Sequence, residues 1–334
     1  MKLTTQLDLR PTSYVPKRIV FHYDFDGVCS AAILVKFFSA EVELEPVNYS
    51  LKRKWLSRNM ATSAVVDFLF HPDALWWFDH HVTTFVNDKV RRQYAPSPRH
   101  RWDTSYEACP SLILDVLAES TDVSELRSIF AEWTRWSIII DSAKYDSPVQ
   151  AVLGEEPCIL INQALSESDS PDLRRWLVSR IAAGLKPEDL AFKPQVRELW
   201  ERFRRRQAAA LDIMERRLRR IGSVGLCDVT DCAVPLVRYA LYLFQPDLSY
   251  SVIAYNRGRG KYPYHISVGR NPWKRMDSQA VNLGALALRY GGGGRESVAS
   301  IQFKTASECR RALEEIARIL ASDATSAHAL ANSE

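Results

Sequence analysis

None of the six cysteines, Cys29, Cys109, Cys158, Cys227, Cys232 and Cys309, is spaced as CxxC. This argues against a closed thiolate zinc site and against the disulfide framework of small secreted domains, so reduced thiols in a cytoplasmic protein are expected. Long apolar runs are missing as well. No window approaches the ~20 apolar residues that span a bilayer, and the opening MKLTTQLDLR has no apolar core of signal-peptide length. Excess charge of one sign is small. Against 40 Asp and Glu stand 44 Lys and Arg, a net +4 that is too little for a general nucleic-acid coat yet leaves room for a local anion-binding patch. There is no internal repeat. The remaining composition, 46% hydrophobic and 25% charged over 334 residues, suits two ordinary globular domains.

The first chemistry lies in FHYDFDGVCS, residues 21–30. Ile19 and Val20 lead into it as a strand, and His22, Asp24 and Asp26 at alternate positions would share one face of an extended backbone. Gly27 and the small, apolar stretch Val28 to Phe38 predict a helix whose N-terminus adjoins the carboxylates and favours anions. Residues 42–49 and 64–70 read as further strands, the second almost wholly apolar, as in a sheet covered on both faces. Asp67 interrupts it. A buried carboxylate is costly unless paired or metal-bound, which places Asp67 at the carboxyl end of the sheet, near the first cluster. LWWF at 75–78 then delivers Asp79, His80 and His81. The alternation predicts an α/β fold with a mainly parallel, doubly wound N-terminal sheet.

Apolar residues recur at helical spacing over 105–118 and 123–136, the second run continuing through Ser137 to Ile140 into Asp141. Helices are also expected over 172–183 and from Pro187 to about Ile221, the latter broken or kinked near Pro194. Eleven basic and six acidic residues between 186 and 221 suit an exposed linker helix, with phosphate-backbone contact as the other reading. Beyond it, 225–229, 250–256 and 264–268 read as strands, with Arg257-Gly258-Arg259-Gly260 as a hairpin turn. A helix over 279–290 ends in Gly291 to Gly294, whose bare amides would suit an anion. Arg295 follows, then a strand with Ala299, Ile301 and Phe303 on one face, then a helix over 309–321. The expected domains are 15–185, catalytic; 186–222, a helical linker; 223–322, a smaller α/β domain; and 323–334, a disordered tail.

His22, Asp24, Asp26, Asp67, Asp79, His80, His81 and Asp141 thus form one constellation, each expected at a strand end or in the loop just after it. Mixed imidazole and carboxylate donors suit Mn, Fe or Co, with Mg weaker. Two divalent cations about 3.5–4 Å apart and sharing a carboxylate bind a phosphate ester and acidify a bridging water.

HYDFDG at 22–27, the lone Asp67 of VVDF, the DHH triplet at 79–81, the apolar-flanked Asp141 and GGGGR at 291–295 resemble, in this order, the motifs of the DHH phosphoesterase superfamily. The resemblance runs from about residue 18 to 305. It implies a dimetal N-terminal domain and a smaller substrate-binding C-terminal domain. His22, Asp24 and Asp67 would hold one cation, and Asp26, Asp67, His80 and Asp141 the other, with Asp67 as the bridge. His81 would neighbour the transferred phosphate, by hydrogen bond or as a proton donor, and Asp79 would fix a histidine ring. Arg270, Gly291, Gly292, Gly293, Gly294 and Arg295 would grip a second phosphate or base.

Two departures from the superfamily stand out. His22 precedes Asp24 by two residues where several branches have four, and Arg295 occupies a place where histidine is common. The implied activity is hydrolysis of phosphoester bonds in short oligonucleotides or nucleotides (nanoRNA, phosphoadenosine phosphate or linear dinucleotides) by a hydroxide activated by two divalent cations, manganese foremost. The alternatives are a single-strand exonuclease, a cyclic-dinucleotide hydrolase, a pyrophosphatase or exopolyphosphatase, and a nucleotide-binding regulatory protein with little turnover. The expected partner is the short oligonucleotide or nucleotide substrate, with no membrane; a homodimer stays open.

Overall fold

The runs Arg18–His22 (β1), Glu43–Val47 (β2), Ser63–Val66 (β3), Trp76–Asp79 (β4) and His100–Trp102 (β5) pair in the order β2-β1-β3-β4-β5, every pair parallel. The computed structural model describes residues 14–258, 260–274 and 280–331, with side chains to 322. β3 and β4 are buried throughout, as their apolar sequence demands.

Helix α1 (Phe25–Phe38) carries the chain from β1 to β2. It can follow β1 so closely because residue 27 is glycine: a Cβ there would stand 2.3 Å from the His22 carbonyl oxygen. From β2 the chain crosses to β3 on the far side of β1, so the carboxyl ends of β1 and β3 form a switch point, where open parallel sheets leave a crevice. Register completes the arrangement. Phe21 lies opposite Val66, and Val66 opposite Phe78, so the next residue along each strand is His22, Asp67 and Asp79.

Helices α2 (Asp88–Arg91), α3 (Cys109–Ala118) and α4 (Ser124–Asp141) follow in this first unit, which comprises Met1–Lys144 and Glu155–Phe203. Helix α5 (Pro148–Leu153) belongs to the second unit, and α6 (Pro157–Glu167), α7 (Pro171–Ala182) and α8 (Pro187–Ala191) return to the first. A further helix, α9 (Pro194–Arg217), passes from one unit to the next between Phe203 and Arg204. Residues 186–222 thus span the end of the first unit and the start of the second. The helical run is broken near Pro194, as expected: α8 ends at Ala191 and Pro194 starts α9, because a first-turn residue has no intrahelical N–H bond to lose.

The second unit, Tyr145–Gly154 and Arg204–Glu334, holds β6 (Arg219–Ile221), β7 (Val224–Val229), β8 (Tyr250–Asn256), β9 (Tyr264–Arg270), β10 (Gly293–Gly294) and β11 (Val298–Phe303) in the order β10-β11-β9-β8-β7-β6. Only β7 and β8 are parallel; they are joined through α10 (Ala240–Phe244). Val252, Ile266, Val268 and Ile301 pack with α11 (Leu283–Leu288) and with Leu313, Ile316 and Leu320 of α12 (Ala306–Ala331). α12 runs past residue 321, where the apolar pattern ends, and 332–334 lie outside the described residues. So do Arg259 of the expected turn and Gln279, the expected start of the helix that begins at Leu283.

Candidate metal centre

β1 ends at His22, and from Phe25 the chain is helical rather than extended. Asp24 is the N-cap of α1, its Oδ1 accepting from the Gly27 amide at 3.0 Å, and Asp26 lies in the first turn. The shared strand face expected for His22, Asp24 and Asp26 is therefore replaced by a strand end and a helix N-terminus folded onto it. Asp141 differs too: it is the last residue of α4, not the product of a strand. Asp67 comes directly after β3, which stops at Val66 instead of running to residue 70. Its φ is +54°, in the left-handed region that non-glycine residues seldom enter.

These elements bring His22, Asp24, Asp26, Asp67, Asp79, His80, His81 and Asp141 into contact. His22 Nδ1 lies 2.7 Å from Asp24 Oδ2 and 3.6 Å from Asp67 Oδ2. His80 Nε2 lies 3.3 Å from Asp26 Oδ2, 3.6 Å from Asp141 Oδ2 and 3.7 Å from Asp67 Oδ1. Asp67, fully buried, thus turns one oxygen toward each group. The donor atoms of His22, Asp24 and Asp67, and those of Asp26, His80 and Asp141, each lie within 4.8 Å of one another.

Hydrogen bonding separates atoms held by the protein from atoms left over. His22 Nδ1, Asp26 Oδ1, both Asp67 oxygens, His80 Nε2 and Asp141 Oδ2 are buried without a hydrogen-bond partner. Buried polar atoms are normally satisfied, and six orphans at one spot suit a cationic ligand. Asp79 is the opposite case. Its Oδ1 accepts from the His80 and His81 amides, and lies 2.9 Å from His81 Nδ1; its Oδ2 accepts from the Thr84 hydroxyl. With both oxygens engaged, Asp79 fits a positioning role better than a ligand role.

Charge points the same way. Burial, reinforced by neighbouring carboxylates, raises Asp26, Asp67 and Asp141 to about 6. Burial would lower His22, His80 and His81, yet the surrounding carboxylates outweigh it and hold them at about 11, about 12 and about 9. Burial also opposes ionisation of Asp24, but the His22 charge beside it takes its carboxyl below the usual range. Asp24, Asp26, Asp67 and Asp141 with three imidazoles thus form a site that favours positive charge within it.

Several supporting residues carry no local sequence signal. His80 Nδ1 lies 3.0 Å from the Tyr106 carbonyl; donating there fixes the tautomer and leaves Nε2 with its lone pair. Asp26 Oδ2 accepts from the Cys109 amide at the start of α3, 3.0 Å away. The Trp77 and Trp55 indoles donate to the carbonyls of Phe68 and Phe70, pinning the turn after Asp67. Arg174 is buried, donates to the Tyr23 carbonyl at 2.6 Å and lies 4.1 Å from the Tyr23 ring centroid, holding the residue just before Asp24. Tyr49 packs edge-on to the His22 ring, centroids 5.0 Å apart.

The second unit does not present the expected cradle of bare amides. The Gly291 and Gly292 amides donate to Leu288 and Ala287, the Arg295 amide donates to Val298, and Gly293 and Gly294 pair with Ser300 and Ala299. Crowding requires glycine at two of the four positions: a Cβ on Gly292 would stand 2.5 Å from the Ser300 carbonyl oxygen, and one on Gly294 2.3 Å from the Val298 carbonyl oxygen. Arg270 is also engaged, donating to the carbonyls of Ala280 and Val281 and pairing with Glu296 at 3.2 Å. Arg295 is exposed, and its side chain makes no hydrogen bond or ion pair among the described residues.

Compared by sequence, the chain matches no family model and no curated protein. Compared by structure, it is similar to a pGpG-specific phosphodiesterase of Vibrio cholerae, with a TM-score of 0.70 and 18% identity over 92% of this chain and 99% of the other. It is also similar to exonuclease RecJ bound to manganese, at 0.53 and 13% over 95% and 92%. An exopolyphosphatase-related protein of Bacteroides fragilis matches at 0.52 and 12% over 92% and 96%. No helix among the described residues is long and apolar enough to cross a membrane. With His22, Asp24, Asp26, Asp67, the 79–81 triplet and Asp141 gathered at the carboxyl edge of its first sheet, the chain shares the fold of these solved structures.

Proposed function

We propose that the protein is a phosphoric ester hydrolase that uses two divalent cations and acts on short oligonucleotides or nucleotides, linear dinucleotides first among them. The observation that carries this reading is the set of orphaned buried atoms around Asp67. His22, Asp24 and Asp67 would hold one cation, and Asp26, Asp67, His80 and Asp141 the other. When bound, the pair supplies Lewis-acid charge to the phosphoryl group and an acidified water.

The side chains do the rest. His80 is oriented by Tyr106, and Asp67 by the two indoles behind it. His81, with Nδ1 directed at Asp79, is partly exposed and has Nε2 available to hydrogen-bond the phosphoryl oxygen or to protonate the leaving oxygen. Arg295, on the second unit, is the candidate contact for a second phosphate. The likeness to a pGpG-specific phosphodiesterase supports a dinucleotide substrate, and manganese in the RecJ structure supports manganese as the first metal to try.

The test is a substrate panel on protein stripped with chelator and reloaded with Mn or Mg: linear dinucleotides, phosphoadenosine phosphate, short and long RNA, short DNA, cyclic dinucleotides, pyrophosphate and polyphosphate. Metal-dependent turnover should be greatest on dinucleotides and fall steeply as RNA lengthens past a few nucleotides. Equal processive degradation of long strands would move the protein to the exonuclease branch. No metal-dependent turnover of any phosphoester would leave a binding protein.

A further inference from the structure

The second unit has a cleft of its own, at the end of its sheet opposite Arg270 and Arg295. β7 and β8 are the only parallel pair in this sheet, and both point their carboxyl ends at the β8–β9 hairpin. Crevices outside the carboxyl ends of parallel strands are common ligand sites. Here the loop after β7, the hairpin and Arg206 of α9 enclose about 500 Å³, a volume suited to one small ligand.

Two guanidinium groups reach the cleft. Arg206 and Arg257 face the cleft, and the carboxylate that also lines it, Asp231, is neutralised by Arg217. Burial raises the neighbouring Tyr255 hydroxyl, and Arg257 and Arg238 oppose that rise, which puts both guanidinium charges near it. Residues 256–264, NRGRGKYPY, contain three basic residues and no acidic one.

Aromatic and amide groups accompany the charge. Tyr264 lines the cleft, and Tyr262, two residues before it in the chain, is an exposed ring with Lys261 Nζ 5.7 Å and Lys304 Nζ 5.9 Å from its centroid. The Asn256 side-chain Oδ1 accepts from the Gly258 amide at 2.7 Å, leaving the side-chain NH₂ for a ligand acceptor.

We propose that this cleft binds a nucleoside phosphate, either free or as the end of a strand, with the phosphate on Arg206 and Arg257 and the base against Tyr264. Guanidinium groups beside aromatic rings and a small amide recognise an anion joined to a planar heterocycle, whereas a polyanionic peptide would need no rings and a longer track. The site uses none of the atoms of the metal centre, so its occupancy is measurable without turnover.

The experiment is calorimetric titration of the full chain in EDTA with AMP, with adenosine and with a 5′-phosphorylated RNA hexamer, for wild type, Arg257→Glu, Arg206→Glu and Arg295→Ala. The expected result is AMP binding weakened tenfold or more by each of the first two variants and untouched by the third, with adenosine far weaker than AMP. Each variant is exposed at the substituted position, and unchanged circular dichroism checks that it folds. Competition between hexamer and AMP assigns a strand end as a source; binding of AMP without the hexamer assigns the free nucleotide. AMP affinity insensitive to both Arg257→Glu and Arg206→Glu, loss of binding only in Arg295→Ala, or adenosine binding as well as AMP each overturns the proposal.

Discussion

Two sheet ends invited the same reading and turn out to be opposites. At the carboxyl edge of the first sheet, buried polar atoms of His22, Asp26, Asp67, His80 and Asp141 are left without partners. At the glycine run of the second, the amides of Gly291, Gly292 and Arg295 have partners within the chain. Leaving a buried charge unpaired costs several kcal/mol, so a fold keeps such atoms only where something else completes them. A tight glycine turn needs no such completion. The first edge suits a cationic ligand, and the second is closely packed within the chain, beside the Arg295 guanidinium, which has no partner among the described residues.

Asp67→Ala tests the contrast most severely. Losing the carboxylate shared by both groups should lower the rate about 10³-fold, ~4 kcal/mol of transition-state stabilisation, together with metal content measured by atomic emission. Retention of both metals and near-normal rate would show that Asp67 is not the bridge.

The DHH triplet sharpens it next. His81→Ala should keep its metals and lose about 10²-fold in kcat, whereas His80→Ala should lose metal as well, because His80 Nε2 faces the ligand set and His81 Nδ1 faces Asp79. Equal metal loss in the two variants would erase the distinction.

If the glycine run serves packing, Gly294→Ala should destabilise by about 1–3 kcal/mol in denaturant melts, since its Cβ meets the Val298 carbonyl and the Ala299 side chain. An amide cradle would instead lose substrate affinity with stability intact. For Arg295→Ala the expected change is a KM increase of about tenfold for a dinucleotide or bisphosphate, with kcat and the KM of a simple aryl phosphate little changed. Equal effects on both substrates would remove the phosphate-clamp role.

The smallest effect is on stability against pH without metal. His81 is raised from 6.5 to about 9, so its contribution is fully present below pH 6.5 and lost as pH rises through 9; Asp26, Asp67 and Asp141, raised from 3.8 to about 6, lose theirs between those values. Both trends have the same sign. The melting temperature in EDTA should therefore fall by a few degrees from pH 5 to 9, and saturating manganese should flatten the slope. A metal-free midpoint that climbs over this range would contradict the charge balance inferred for the site.

Much of this was legible in the residues alone. Alternating apolar runs and helices specified a parallel sheet, because a strand buried on both faces must be apolar throughout, and a lone Asp67 in such a run could be tolerated only at its end. The DHH motifs named the constellation. Local sequence could not show that Asp24 and Asp26 begin a helix instead of extending a strand, since alternate spacing on a strand and the first turn of a capped helix look alike over five residues. Nor could it show which carboxylates are spent. Asp79 and Asp67 are both buried aspartates after apolar strands, and what separates them is distant: the Thr84 hydroxyl and His81 ring occupy one, while indoles from Trp77 and Trp55 hold the backbone beyond the other and leave its oxygens bare. Hydrogen-bond saturation depends on groups far apart in the chain, so only the tertiary structure decides it.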